Sequence, residues 1–264
     1  MVPARSVDIA TLSRFQRFAN LPQLKLSSLA SAMSVWRFER RERIYVQREA
    51  SRNLYILLEG VARLSGLNKA EQLVLMALIS PGETFGISAV LPETVHQFQC
   101  DAFTDCLVAR IDPQQFVEIM LGASLSDFQV VMDILVSELQ ELLTRYSMML
   151  RLTVKDRLLA AFAELGSKFG TRHERGTLLN VPLTHQDLAD LVGATRPIIT
   201  LQLKDLERDG AIIRERRRLV LVPNRLANEG AIDPPAEVFV PAELRAGTAS
   251  IWANLLKRSL SEID

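Results

Sequence analysis

The chain has 264 residues, of which 48% are hydrophobic, and its 31 Lys and Arg residues balance 31 Asp and Glu residues. This composition excludes wholesale disorder and fibrous repeats, and the length suits two ordinary domains. No run approaches the roughly 18 apolar residues that cross a bilayer, and the first twenty residues lack a signal-peptide core. Two cysteines are too few for a disulfide framework. We therefore expect a cytoplasmic protein with no membrane partner.

The zero net charge conceals an uneven distribution. Residues 151–225 contain 14 Lys and Arg against 9 Asp and Glu, a net charge of +5, whereas the residues on either side are slightly acidic. A basic segment favours a polyanionic partner. Scattered solvated charges would also give a bias of this size, so the charge alone does not decide.

Short apolar runs recur about ten residues apart over residues 44–111, a spacing typical of an antiparallel β-sandwich or barrel. Turn signals separate these runs at Glu59-Gly60, Ser65-Gly66 and Pro81-Gly82. The first half of the chain is therefore predicted to be an antiparallel β domain.

One long helix is predicted from residue 124, because no Gly or Pro interrupts the chain up to Gly166 and apolar residues recur at heptad spacing. The predicted dimer seam comprises Phe128, Leu135, Leu139, Leu142, Tyr146 and Met149. A second stripe of Ile134, Leu143 and Leu150 is expected to face the β domain. A helix packed only on its own domain is the alternative, but two apolar stripes need two partners and favour a dimer.

Two further helices are predicted by their end signals. Residues 154–169 are amphipathic, and Gly170 suits the C-terminal end of that helix. Thr184 with an acid three residues later is a capping-box pattern, which predicts a helix through Val192.

A last helix and a hairpin follow a turn at residues 193–195. Thr195 is expected to cap a helix over residues 196–208, in which Pro197 occupies the first turn, where proline is tolerated. Its inward stripe is predicted to be Ile199, Leu203 and Leu206. Residues 212–222 are predicted to form a β-hairpin around a basic turn at 214–218.

Helix, glycine-containing turn, helix and basic hairpin together are typical of a winged helix-turn-helix that binds DNA. The helix over residues 196–208 would enter the major groove, and the N-terminus of the helix that begins after Thr184 would hold a phosphate. The basic hairpin, which we call the wing, would contact further phosphates. The predicted DNA-contacting residues are Thr184, His185, Gln186, Thr195, Arg196, Pro197, Ile198, Thr200, Lys204, Arg216, Arg217 and Arg218. A three-helix packing module with a solvated hairpin is the alternative.

Three motifs in this order resemble the Crp/Fnr superfamily of bacterial transcription regulators. They are LYILLEGVARL at residues 54–64, PGETFG at 81–86 and LTHQDLADLVGATR at 183–196. The resemblance implies an α+β fold that begins with an antiparallel, jelly-roll-like β-roll similar to cyclic-nucleotide-binding domains. The implied organisation is an N-terminal arm at 1–20, the β-roll at 21–123, a dimerisation helix at 124–150, a winged helix-turn-helix at 151–223 and an extension at 224–264. The implied partners are double-stranded DNA and a second copy of the chain, with RNA polymerase left open.

The effector pocket that the resemblance implies departs from the members that bind cyclic AMP. Those carry a Gly-Glu pair for the ribose and an Arg-Ser pair for the phosphate, whereas here Ile87 follows Gly86 and no Lys or Arg lies between Lys69 and Arg110. A buried phosphodiester without a cation is costly, so we expect no cyclic-nucleotide binding and leave the effector unidentified. The expected pocket residues are Phe85, Gly86, Ile87, Ser88, His96 and Gln97.

The recognition helix departs from the family as well. Many members that resemble this chain read a G·C pair with Glu and Arg at the positions of Pro197 and Leu201. Arg196 is then the main base reader, and Ile198 can contact a thymine methyl group.

No catalytic residue, metal site or cofactor is predicted. Cys100 and Cys106 are expected to be buried thiols on either side of a turn, with a redox disulfide as the alternative, and His96 lacks a third metal ligand near Cys100. The chain has no P-loop, dinucleotide fingerprint or nucleophile elbow, so it is not expected to be an enzyme. The alternative function is a dimeric sensor or adaptor that uses its β-roll for protein contacts without binding DNA.

Overall fold

The computed structural model describes residues 7–15, 17–19, 21–121, 153–215 and 218–222, and the single positions 132, 136, 139, 143 and 146. Within these ranges an antiparallel β domain with covering helices precedes a smaller domain of three helices and a sheet. The predicted α+β fold is confirmed. None of the described helices is long and apolar enough to cross a membrane.

Two four-stranded sheets form the β domain. The strands are β1 (Ser34–Phe38), β2 (Arg43–Tyr45), β3 (Leu54–Glu59), β4 (Ala62–Leu67), β5 (Leu73–Ile79), β6 (Thr84–Phe85), β7 (Gln99–Ala102) and β8 (Cys106–Ile111). One sheet has the order β1-β8-β3-β6 and the other the order β2-β7-β4-β5. A 3-10 turn, Ile87–Val90, follows β6.

The apolar run of β3 is buried on both faces. Leu54, Ile56 and Leu58 point into a core beneath the helices, whereas Tyr55 and Leu57 point into the core between the two sheets. Successive side chains of a strand point to opposite faces, so a strand with two covered faces needs an uninterrupted apolar run.

Three helices cover the outer face of the first sheet. They are α1 (Ile9–Ser13), α2 (Gln23–Ala32) and α3 (Pro113–Leu121). Leu12 and Phe18 are almost fully buried in the same core as α2 and α3. The described part of residues 1–20 therefore packs against the β domain, because its apolar side chains complete this core.

The turn predicted at Ser65-Gly66 is also wrong, since both residues lie inside β4. The chain instead turns at Asn68, whose Oδ1 accepts hydrogen bonds from the backbone N–H groups of Ala70 (2.9 Å) and Gln72 (3.0 Å). Glycine suits this position in the strand because a Cβ there would lie 3.2 Å from the ring of Phe98, closer than an ordinary van der Waals contact.

The second domain combines three helices with a four-stranded antiparallel sheet. Its elements are α4 (Val154–Phe169), β9 (Gly170–His173), β10 (Gly176–Leu179), α5 (His185–Val192), α6 (Arg196–Arg208), β11 (Ile212–Glu215) and β12 (Arg218–Leu221). The strand order is β11-β12-β10-β9. The three helices and the β11–β12 hairpin are as predicted, but the β9–β10 hairpin was missed.

The two domains share one hydrophobic core. Val61, Leu75 and Leu78 of the β domain belong to the cluster that also holds the buried face of α6. The backbone N–H of Leu75 donates to Asp190 Oδ2 of α5 at 3.0 Å. The winged-helix domain is therefore docked on the β4–β5 hairpin.

The predicted seam is described only in part. Phe128, Leu135, Leu142 and Met149, together with Ile134 and Leu150 of the second stripe and the extension at 224–264, lie outside the described residues. Leu139 and Tyr146 are helical and exposed. Leu143 was expected to face the β domain, but 56% of its surface is exposed, so that assignment is wrong.

Candidate nucleic-acid interface

Helix α5 begins with a complete capping box. Thr184 Oγ1 accepts from the backbone N–H of Asp187 at 3.1 Å, and Asp187 Oδ2 accepts from the backbone N–H of Thr184 at 2.8 Å. This reciprocal pair fixes the start of the helix at the residues predicted from the sequence. The Thr184 hydroxyl also donates to Asp187 Oδ2 (2.7 Å), so it both donates and accepts a hydrogen bond within the cap.

Gly193 makes the turn between α5 and α6. Its φ of 61° lies in the left-handed region that favours glycine, and its N–H donates to Asp190 O at 3.2 Å. Thr195 is the N-cap residue of α6, as expected, but its side chain makes no capping hydrogen bond.

Helix α6 packs through one stripe and exposes the opposite face. The stripe of Ile199, Leu203 and Leu206 is almost fully buried, as predicted. The exposed residues of the face that was predicted to contact DNA are Thr195, Arg196, Pro197, Ile198 and Lys204. The N-terminal end of α6 therefore projects a charged and apolar surface into solvent.

A hydrogen-bonded pair joins the two helices at this surface. His185 Nδ1 lies 2.9 Å from Thr200 Oγ1, and Thr200 Oγ1 donates to the backbone carbonyl of Arg196 at 2.9 Å. Gln186 turns instead towards Asp190, donating from Nε2 to Oδ1 at 2.7 Å. The helix start of α5 and the exposed end of α6 thus form one surface.

The electrostatics of this surface are positive around His185. Burial, followed by the charges of Arg214 and Arg196, lowers the pKa of His185 below its usual value. The guanidinium groups of Arg196 and Arg214 therefore lie close enough to affect the charge of His185, where the N-termini of α5 and α6 meet. A positive potential at helix N-termini suits a phosphate group.

The wing differs in detail from its prediction. Arg214 lies in β11 and Arg218 in β12, so the expected turn at 214–218 is shorter. Arg214 Nε pairs with Glu207 of α6 at 3.2 Å, and Arg218 Nη1 donates to Asn180 Oδ1 at 3.2 Å. Arg216 and Arg217 lie outside the described residues.

A cavity of about 390 Å³ lies beneath β4, β5 and the 3-10 turn. All six expected pocket residues line it: Phe85, Gly86, Ile87, Ser88, His96 and Gln97. His96 stacks on Tyr45 with ring centroids 3.8 Å apart, and its Nδ1 lies 3.3 Å from Ser51 Oγ. No local sequence signal marks Tyr45, which is distant from the other lining residues along the chain.

The cavity also has cations that were not expected from the sequence. Arg17 and Lys168 line it, although no Lys or Arg lies between Lys69 and Arg110. Lys168 Nζ pairs with Glu83 at 2.8 Å and with Glu164 at 3.3 Å. The premise that the pocket lacks a cation was therefore wrong, because the fold brings in residues from α4 and the N-terminal segment.

Cys100 and Cys106 are buried free thiols. Burial raises the pKa of both, which disfavours the reactive thiolate. In the described parts of the chain no group of three His, Cys, Asp or Glu residues is placed to hold a metal ion.

Two family models match this chain. The model of the cyclic nucleotide-binding domain matches residues 35–122, and that of the Crp-like helix-turn-helix domain matches residues 156–229. The first match covers both sheets, and the second covers α5, α6 and the wing.

Curated relatives include regulators from two bacteria. The chain is 28% identical over 194 residues to the transcriptional regulator LdrP of Thermus thermophilus, covering 70% of this chain and 91% of the relative. It is 23% identical over 203 residues to the global nitrogen regulator of Synechococcus elongatus, covering 75% and 89%.

Solved structures share the fold. A CRP-family transcriptional regulator of Thermus thermophilus gives a TM-score of 0.62 at 24% identity, covering 74% of this chain and 95% of that one. FixK2 of Bradyrhizobium japonicum gives 0.63 at 20% identity, covering 74% and 96%. With both domain models matched in the order that the fold displays, the chain belongs to the Crp/Fnr superfamily of transcription regulators.

Proposed function

We propose that this chain is a homodimeric, sequence-specific DNA-binding regulator that binds a palindromic site through α6. The exposed N-terminal end of α6, joined to the start of α5 by the His185–Thr200 hydrogen bond, carries the proposal. A helix with one buried stripe and an exposed end that carries Arg196 can enter the major groove, which is about 12 Å wide. Docking on the β4–β5 hairpin leaves this end uncovered.

An exposed apolar stripe supports the homodimer. Met132, Val136, Leu139, Leu143 and Tyr146 are helical, and each exposes between 37% and 61% of its surface. Their spacing of four, three, four and three residues is that of a heptad seam. We infer that a second copy of the chain covers this stripe, which shares Leu139 and Tyr146 with the seam predicted from the sequence.

A two-fold dimer presents two identical α6 helices, so its preferred site is palindromic. The direct test of DNA binding is a gel shift with genomic fragments at several salt concentrations. A regulator of this kind should bind with an affinity that falls steeply as salt rises, because phosphate contacts release counterions. A dimer without salt-sensitive DNA affinity would instead support the adaptor function.

The wing should supply phosphate contacts. Replacing Arg216, Arg217 and Arg218 with Ala should weaken binding to all DNA sequences alike. The slope of log affinity against log salt should fall by about 0.9 for each phosphate that the variant no longer binds. Fluorescence anisotropy over a salt series measures both quantities.

The matched control for the wing is Arg208→Ala. Arg208 is exposed, but it lies at the other end of α6, where it pairs with Asp205 at 3.0 Å and Asp209 at 3.2 Å. This variant should keep the wild-type slope. A wing variant with the same slope as the wild type would show that the hairpin points away from DNA.

We further propose that the cavity is an effector pocket that does not accept cyclic nucleotides. Ile87 stands where members that bind cyclic AMP carry Glu, and Lys168, one of the two cations that line the cavity, is already paired with Glu83 and Glu164. A cyclic phosphate would bring an anion next to the Glu83 carboxylate, which lines the same cavity.

Cyclic AMP and cyclic GMP should therefore leave the thermal unfolding temperature unchanged at millimolar concentration. A ligand that binds only the folded chain raises this temperature in proportion to the logarithm of its concentration once its site is filled. A saturable shift with either nucleotide would overturn the proposal.

A further inference from the structure

The exposed face of α6 carries an unusual pair of side chains. Within the described residues of the winged-helix domain, Ile198 and Leu201 are the only large apolar residues that are exposed, with 41% and 60% of their surfaces accessible. They lie three residues apart and therefore share one face of the helix. Pro197, four residues before Leu201, is exposed on the same side.

Within the described residues, this apolar pair takes no part in the buried core. The buried side of α6 is supplied by Ile199, Leu203 and Leu206, and apart from Pro197 the other exposed positions of the helix are charged. Arg196 precedes the pair and Lys204 follows it, and both are exposed. The surface is thus an apolar patch between two cations.

A patch of this kind fits apolar groups set within a polyanion. The thymine 5-methyl group is the apolar group that the major groove of DNA presents between its phosphate backbones. The patch is also continuous with the His185–Thr200 surface that we propose as the DNA interface. The two residues are offset by about 4.5 Å along the helix axis, so their side chains can contact different bases in the groove.

We propose that Ile198 and Leu201 read thymine methyl groups at two neighbouring base pairs of each half-site. This inference rests on the proposed DNA-binding function and specifies which bases it prefers. Cytosine at either position carries a hydrogen in place of the 5-methyl group, so the apolar contact would be lost. A contact of this kind therefore discriminates against cytosine as well as attracting thymine.

The test uses a duplex that carries the site enriched by the intact chain from random-sequence DNA, and copies in which single thymines are replaced by deoxyuridine. Deoxyuridine keeps the base pair and the O4 acceptor and removes only the methyl group. Replacing one contacted thymine should lower the affinity about fourfold, and replacing the equivalent thymine in both half-sites should lower it about 15-fold. Substitution in the flanking sequence should have no effect.

Alanine variants identify which side chain contacts which thymine methyl group. Leu201→Ala should abolish the response to deoxyuridine at one position, and Ile198→Ala should abolish it at the neighbouring position. Leu24→Ala is the matched control, because Leu24 is 83% exposed on α2, and it should keep both responses. Because Ile198 and Leu201 are both exposed, their variants should unfold at the wild-type temperature.

Two results would overturn the inference alone. Sequence-specific binding that is indifferent to deoxyuridine at every half-site position would refute methyl reading while leaving the proposed function intact. Responses that persist in both alanine variants would assign the methyl contacts to other residues. Absence of any sequence-specific DNA binding would reject the proposed function itself, and the inference with it.

Discussion

A chain that carries Leu139→Glu and Leu143→Glu should sediment as a monomer and bind its DNA site about 10² to 10⁴-fold more weakly than the wild type. Both residues lie in the exposed heptad stripe, where a charge would be buried against its own copy in the dimer. A monomer engages one half-site at a time and loses the effective concentration that links the two sites. Both side chains are exposed in the single chain, so the fold should survive.

Sedimentation velocity and anisotropy on one preparation measure both parts of this prediction. Leu24→Glu is the control, since Leu24 is more exposed than either residue and lies on α2. It should remain dimeric with full affinity. A wild-type chain that is monomeric at micromolar concentration, or a double variant that stays dimeric, would contradict the proposed seam.

Arg196→Ala should relax the sequence preference at one base pair of each half-site while leaving non-specific affinity nearly intact. Arg196 is exposed in the first turn of α6, where a bidentate contact to guanine discriminates by about 1–3 kcal/mol. Pro197 and Leu201 offer neither a charged donor nor an acceptor. The loss of Arg196 therefore leaves that base pair without a charged side chain to contact it.

Competition with duplexes that carry each of the four base pairs at every half-site position measures this preference. Lys204→Ala is the matched comparison, because Lys204 is an exposed cation on the same helix. It should weaken binding to all sequences alike, as removal of a phosphate-binding cation does. An Arg196→Ala chain with an unchanged base preference would show that another residue reads the site.

The parts of the fold that local contacts decide could be predicted from the sequence. The capping box of Thr184 and Asp187, the glycine turn at Gly193 and the buried stripe of α6 each depend on residues within one or two helical turns. These signals placed the predicted interface residues on α5 and α6. The β9–β10 hairpin was missed because its four-residue strands are too short to show a period.

Features that join distant segments could not be predicted. Lys168 enters the cavity wall from α4, and Arg63 of β4 lies 3.7 Å from Asp187 of α5, because the two domains pack together. The expectation that the pocket lacks cations failed for this reason. Leu143 was assigned to the β domain because helical spacing identifies a stripe but not the partner that covers it.

Selection of binding sites from random-sequence duplex DNA with the intact chain tests the central claim most directly. We predict enrichment of one palindrome whose half-site centres lie roughly 34–36 Å apart, one turn of the double helix. Each half-site should contain a G·C pair that requires Arg196, beside thymines, and should differ from the half-site that family members read with Glu and Arg. Recovery of no enriched sequence, or of a single asymmetric site, would contradict a dimeric, sequence-specific DNA-binding regulator.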